Sequence, residues 1–180
     1  MASLLSQNSS AVSGADASDA ALDGDITFVD ACALADVDAA AARHRGHETL
    51  VGRTSLSFYR ARDGAVTCIE TACPHAGHRL CDGYAADPRD IEDLLSGTGV
   101  LATCPAHSYV YDTKTGVCVA SFGAGAGRCI VRDTRVDGDR VFVASEPAPA
   151  AAWDLPKAQR DAIGMRCVEL ALDEKFGSAG

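Results

Sequence analysis

The sequence predicts an all-β fold. Two observations carry the prediction: short apolar stretches rich in β-branched residues, and turn dipeptides at close intervals between them. The chain has 180 residues, enough for one domain with a real core. Apolar residues make up 47 %, but alanine supplies much of that and aromatics only 6 %, so the core is expected to be modest.

The elements read in order as follows. Residues 1–24 are mainly Ser, Ala, Asp and Gly, the composition of a disordered tail. They lack the basic and apolar regions of a secretory signal, and Asp16, Asp19 and Asp23 without an arginine argue against a mitochondrial presequence. "ITFVDACAL", from Ile26, reads as a strand. "ADVDAAAARHRGHE" reads as one helical turn or a loop. "TSLSFYRARDGAVTCIETAC" reads as two strands around Asp63-Gly64, a strong hairpin sequence. "GVLATCPAH", "SYVYDTKTGVCVASF" and "RCIVRDTRVDGDRVFVA" supply further strands, with turns at Lys114-Thr115-Gly116 and Asp137-Gly138-Asp139. The Pro-rich run from Glu146 closes the domain. In "WDLPKAQRDAIGMRCVELAL" the first half has helical character, and Trp153 is expected to pack it back on the domain. The chain thus divides into a tail (1–24), a domain (25–147) and a C-terminal extension (148–180). No internal repeat is present.

A net charge of −9 repels phosphate backbones and anionic membranes, so neither nucleic acid nor membrane is expected as a partner. No stretch approaches 18 consecutive apolar residues. Eight cysteines would suit a disulfide framework in a secreted chain. With no export signal, reduced thiols in the cytoplasm are the expectation, some of them serving as ligands.

Chemistry concentrates in two short boxes. "TACPHAGHRLCDG" offers Cys73-x-His75, and "CPAH" offers Cys104-x-x-His107, each on a loop between strands. Two thiolates and two imidazoles would satisfy zinc, but zinc fingers bring Cys pairs and His pairs rather than a mixed pair per loop. A [2Fe–2S] cluster with two Cys on one iron and two His on the other fits the mixture better, because each loop then gives one ligand to each iron. Pro74 stiffens the first turn between its two donors.

"CPHAGHRL" and "CPAHSYVYDTKTG" together resemble the Rieske iron–sulfur family. The run Tyr111-Asp112-Thr113-Lys114-Thr115-Gly116 and the terminal "VDGDRVFV" are also similar to that family. The resemblance covers Ile26 to Pro147. It implies antiparallel sheets with a cluster-binding subdomain, about 71–127, inserted in a larger β base. It implies Cys73 and Cys104 on the buried iron, and His75 and His107 on the outer iron near solvent. The long spacer with "DIEDLLSGTG", and Glu146-Pro147 after the last strand, resemble the small soluble Rieske domain-containing proteins of eukaryotes.

High-potential members carry a loop disulfide, and the corresponding positions here are His78 and Ala106, so the brace is absent. Cys81, Cys32, Cys68, Cys118, Cys129 and Cys167 read as small buried thiols. His78 reads as a loop side chain near the cluster, and His44 and His47 as part of a solvated loop. Hydrogen bonds to the sulfurs set the potential of such a centre. Tyr109 stands where high-potential members use a Ser, Ser108 is adjacent, and Tyr111 could give its hydroxyl to a ligand thiolate. Gly123, Gly125 and Gly127 could bring backbone close to the cluster. Asp90, Glu92 and Asp93 read as a solvent-facing helical turn, with docking of a basic reductase or acceptor as the functional alternative.

The functional expectation is a soluble one-electron ferredoxin serving a reductase and an acceptor, not an enzyme in its own right. A redox or iron sensor would use the same four ligands, and a zinc-binding interaction module is the further alternative. A complete Rieske oxygenase is rejected, because the residues after Pro147 contain no His for a second iron site. With no disulfide and at most one hydroxyl donor, the reduction potential is expected at roughly −150 to +50 mV. Redox titration of the purified protein checks this, and a value near the top of the Rieske range refutes it.

Overall fold

Antiparallel pairing begins where the two ends of the domain meet. The computed structural model describes residues 26–91, 99–121, 126–150 and 156–177. Strand β1 (Phe28–Ala33) lies against β11 (Arg140–Ala144), which pairs in turn with β10 (Thr134–Asp137), giving a three-stranded sheet of order β1-β11-β10. A second sheet has the order β2-β3-β4-β9, from His47–Val51, Thr54–Arg60, Val66–Glu70 and Val131–Arg132. Between β4 and β9 the chain inserts a third sheet, order β5-β6-β7-β8, from Ala85–Ala86, Leu101–Thr103, Val110–Asp112 and Cys118–Ala120. Helix α1 spans Leu34–Ala41 and α2 spans Lys157–Phe176. The all-β expectation holds, with every strand pair antiparallel.

The alternation of side chains along a strand sorts these elements into layers. On β3, Leu56 and Phe58 join a core with Cys68, Val141 and Val143 between the first two sheets, whereas Tyr59 faces the other way. On β4, Cys68 faces the first core and Ile69 the second. The second core lies between the second and third sheets and takes in Ala102, Tyr111, Cys73 and Cys104. Leu101 and Val110, each one residue from those positions, face the opposite side and pack against Ile163 and Cys167 of α2. The predicted Asp63-Gly64 hairpin forms between β3 and β4: Gly64 adopts φ +92° and Asp63 Oδ1 accepts the Ala65 N–H at 2.9 Å.

Several expectations are corrected. "ADVDAAAARHRGHE" is not a single turn or a loop: it forms the eight-residue helix α1 and runs into β2, a strand the composition hid. His44 and His47 do not form a solvated loop. His44 is half-buried, with its ring stacked on Tyr84 at 5.0 Å, and His47 opens β2. The C-terminal helix is not confined to the first half of its stretch but continues to Phe176. It docks through Ile163, Gly164 and Cys167; Trp153 lies outside the described residues. Asp90 is not a free acidic surface group: it ends a 3-10 turn, is half-buried and is ion-paired with Arg62. Glu92 and Asp93, the tail, Gly123 and Gly125 lie outside the described residues. Five of the six non-box cysteines are buried as expected, but Cys118 is only half-buried. Among the described residues no helix is long and apolar enough to cross a membrane.

Gly164 is the close point of the α2 contact, because a Cβ there would lie 2.0 Å from Ala120 Cβ on β8. Gly164→Val is therefore expected to cost about 1–3 kcal/mol of stability by overpacking. A thermal melt checks the loss. Thiol-reagent labelling of Cys167, whose pKa burial pushes up to about 12, reads undocking of the helix.

Candidate metal centre

Each box sits on a loop built to the same hydrogen-bond figure. In the first, Cys73 N–H donates to His78 O at 2.8 Å, and Gly77 N–H donates to Cys73 O at 2.7 Å. In the second, Cys104 N–H donates to Tyr109 O at 2.7 Å, and Ser108 N–H donates to Cys104 O at 3.1 Å. The residue four after each cysteine has a left-handed backbone, φ +72° at Gly77 and φ +56° at Ser108. Glycine takes that conformation at no cost, whereas serine is strained there.

The bases of the loops are tied to the sheets. An Ala72–Arg79 bridge closes the first, Leu80 N–H donates to Thr71 O at 2.9 Å, and Arg79 is ion-paired with Glu48 of β2. Thr71 is buried and shares its hydroxyl with Ser55 and Ser57 at 3.0 and 2.8 Å. At the second loop, a Cβ on Gly83 would meet Thr103 O at 1.7 Å, so only glycine allows the chain leaving the first loop to abut the base of the second.

This scaffold buries sulfur and exposes nitrogen. Cys73 and Cys104 are 2 % and 1 % exposed, while His75 and His107 lie at the surface. The two imidazole rings meet edge to face with centroids 4.8 Å apart. The two thiols belong to the same buried cluster. Burial raises the Cys104 pKa, the N–H groups of Ala106 and His107 lower it in part, and Cys73 raises it again. Tyr111 OH stands 3.5 Å from Cys73 Sγ, so the tyrosine that the sequence singled out does reach a box sulfur. Burial, and the Cys73 thiol beside it, hold the Tyr111 phenol protonated, hence able to donate. Tyr109 is buried, with its ring stacked on His75 at 4.4 Å and 15°.

Of the other candidates, His78 is exposed and its ring lies 5.7 Å from that of His107. Cys129 is buried beside Cys73 and Cys104, and burial, with its neighbouring thiols, raises its pKa well above the ordinary value; Cys118, raised to about 11, is also close to Cys73. Both therefore remain protonated thiols. A Cβ on Gly127 would lie 2.8 Å from Pro74 Cβ, which puts that backbone directly against the first loop. Asp112 is a structural residue that sequence reasoning passed over within its own motif. It is fully buried; its Oδ1 accepts N–H from Gly99 and Lys114, and its Oδ2 accepts the Thr115 hydroxyl at 2.6 Å. Gly116 at φ +74° completes the turn, with Cys129 O 2.2 Å from where its Cβ would be.

The donor types suit a binuclear iron–sulfur group: two buried thiols beneath and two neighbouring imidazoles above, one of each from either loop. Proteins of this class clamp an inorganic core between paired loops of a β scaffold. The Rieske [2Fe-2S] domain model matches residues 27–129, more than half of the chain, and the chain belongs to the Rieske family, which binds a [2Fe–2S] cluster.

Solved structures agree in fold. The chain is similar to the ferredoxin of carbazole 1,9a-dioxygenase from Nocardioides aromaticivorans IC177, at 21 % identity and a TM-score of 0.52, over 67 % of this chain and 99 % of that one. It is also similar to a Sphingomonas yanoikuyae B1 ferredoxin, at 20 % identity and a TM-score of 0.50, over 67 % and 100 % of the two chains. A chain from the complex of reduced oxygenase and oxidized ferredoxin in carbazole 1,9a-dioxygenase matches at 24 % identity and a TM-score of 0.50, over 68 % and 96 %. No curated protein matches the chain.

Ser108→Gly is expected to raise stability by about 1 kcal/mol, by releasing the left-handed strain, read as a higher midpoint of thermal unfolding. Tyr111→Phe is expected to lower the reduction potential, since it removes a donor to Cys73 Sγ; an unchanged potential in a redox titration would leave Tyr111 a packing residue only.

Proposed function

We propose that the chain is a Rieske-type ferredoxin that holds one [2Fe–2S] cluster through Cys73, His75, Cys104 and His107 and carries single electrons between redox partner proteins. One observation carries this reading: the two loops share one backbone figure and present sulfur inward and imidazole outward in matched pairs. When bound, the cluster takes up and gives up one electron at a time.

The chain's own residues account for the rest. Cys73 and Cys104 would hold the inner iron inside the second core. His75 and His107 would hold the outer iron, with their exposed edges the shortest route for an electron to a docked protein. Tyr111 OH lies 3.5 Å from Cys73 Sγ, and the N–H groups of Ala106 and His107 favour the charged form of Cys104; both would stabilise the extra negative charge of the reduced state. The partners would be a reductase and an acceptor. The fold shared with dioxygenase ferredoxins, one of them from a complex with its oxygenase, supports that assignment. A net charge of −9 disfavours nucleic acid and anionic membrane as partners.

Protein purified without oxygen is expected to be red-brown and, once reduced, to give a Rieske-type EPR signal. Cys104→Ala should abolish both. Colourless protein with one equivalent of zinc would instead establish a zinc-binding module. Turnover between a reductase and a cytochrome acceptor supports the carrier, whereas cluster-dependent binding of a regulatory partner without turnover would make the protein a sensor.

A further inference from the structure

The shared loop figure makes His78 and Tyr109 equivalent, since each is the fifth residue after its cysteine and gives its carbonyl to that cysteine's N–H. Their side chains cross over. Tyr109, on the second loop, stacks its ring on His75 of the first, at 4.4 Å and 15°. His78, on the first loop, sets its ring edge-on to His107 of the second, at 5.7 Å and 68°. Each loop thus supplies one aromatic ring to the other loop's imidazole. These contacts join the two loops where no disulfide does, positions 78 and 106 being His and Ala.

We propose that this reciprocal aromatic pair is a non-covalent latch: Tyr109 and His78 are positioning residues that hold His75 and His107 in ligand geometry and keep the two loops closed. The inference rests on the cluster reading above. The halves are unequal. Tyr109 is 4 % exposed and nearly parallel to its partner, whereas His78 is exposed and touches only an edge. Offset stacks of this kind stabilise more when buried than when solvated, so Tyr109 carries the larger share. The Tyr109 hydroxyl has no part in the stack, so phenylalanine should serve as well.

The test uses the full-length, cluster-loaded chain. The half-life of the visible absorbance is measured in an iron chelator, together with the EPR g-values after reduction. Tyr109→Ala should shorten the half-life about three- to tenfold and shift the g-values, because the imidazole loses its fixed plane. Tyr109→Leu, which keeps apolar bulk, should do the same and stands in if the alanine variant fails to fold. Tyr109→Phe should stay within twofold of the parent with unchanged g-values. His78→Ala should shorten the half-life by about twofold at an unchanged melting temperature. Val110→Ala, the adjacent buried position facing α2, is the control: it should lower the melting temperature and leave the g-values alone. Parent-like half-lives and g-values in both Tyr109→Leu and His78→Ala would overturn the latch. A parent chain that takes up no iron–sulfur cluster would overturn the cluster reading itself, and the latch with it.

Discussion

The pair of backbone hydrogen bonds at each cysteine is the constraint on which the site depends. An N–H that reaches the carbonyl five residues on, and a carbonyl that receives the N–H four residues on, leave each loop one shape. In that shape Cys73 and Cys104 turn into the core while His75 and His107 stay in water. No side-chain chemistry is needed to separate the two kinds of donor, because the turn does so before anything binds. The left-handed residue at position four is the geometric requirement, met easily by Gly77 and under strain by Ser108.

The sheets supply the second requirement, a dry floor. The pleat that sends Leu101 and Val110 toward α2 sends Ala102 and Tyr111 toward the thiols. A one-residue slip of β7 would exchange Tyr111 for Val110 and take the hydroxyl away from Cys73. Asp112 guards against that slip. Buried and accepting three hydrogen bonds, it ties the turn after β7 to Gly99 and fixes where β7 ends.

Much of this was legible in the residues. The two boxes marked four candidate ligands by their spacing on two loops, and Asp63-Gly64 announced its hairpin. Tyr111 was readable from its place in the motif. What stayed hidden depends on contacts distant in sequence. Strand β2 begins at a histidine and contains Glu48, so neither composition nor alternation marks it; its pairing with β3 makes it a strand. Asp90 looks like a surface acid until the fold brings Arg62 to it. Tyr109 was visible only as a departure from a family position, and its stack on His75 needs both loops in place. Gly83 was passed over among the glycines, because its reason for being one is Thr103, twenty residues away in the chain.

That last contact has a mechanical meaning. With no side chain between Gly83 and the Thr103 carbonyl, the segment leaving one loop rests directly on the residue that opens the other. Neither jaw can swing without pushing its neighbour. A group held between loops braced in this way would have little room to rearrange. That stiffness would come from the absence of a single carbon atom at Gly83.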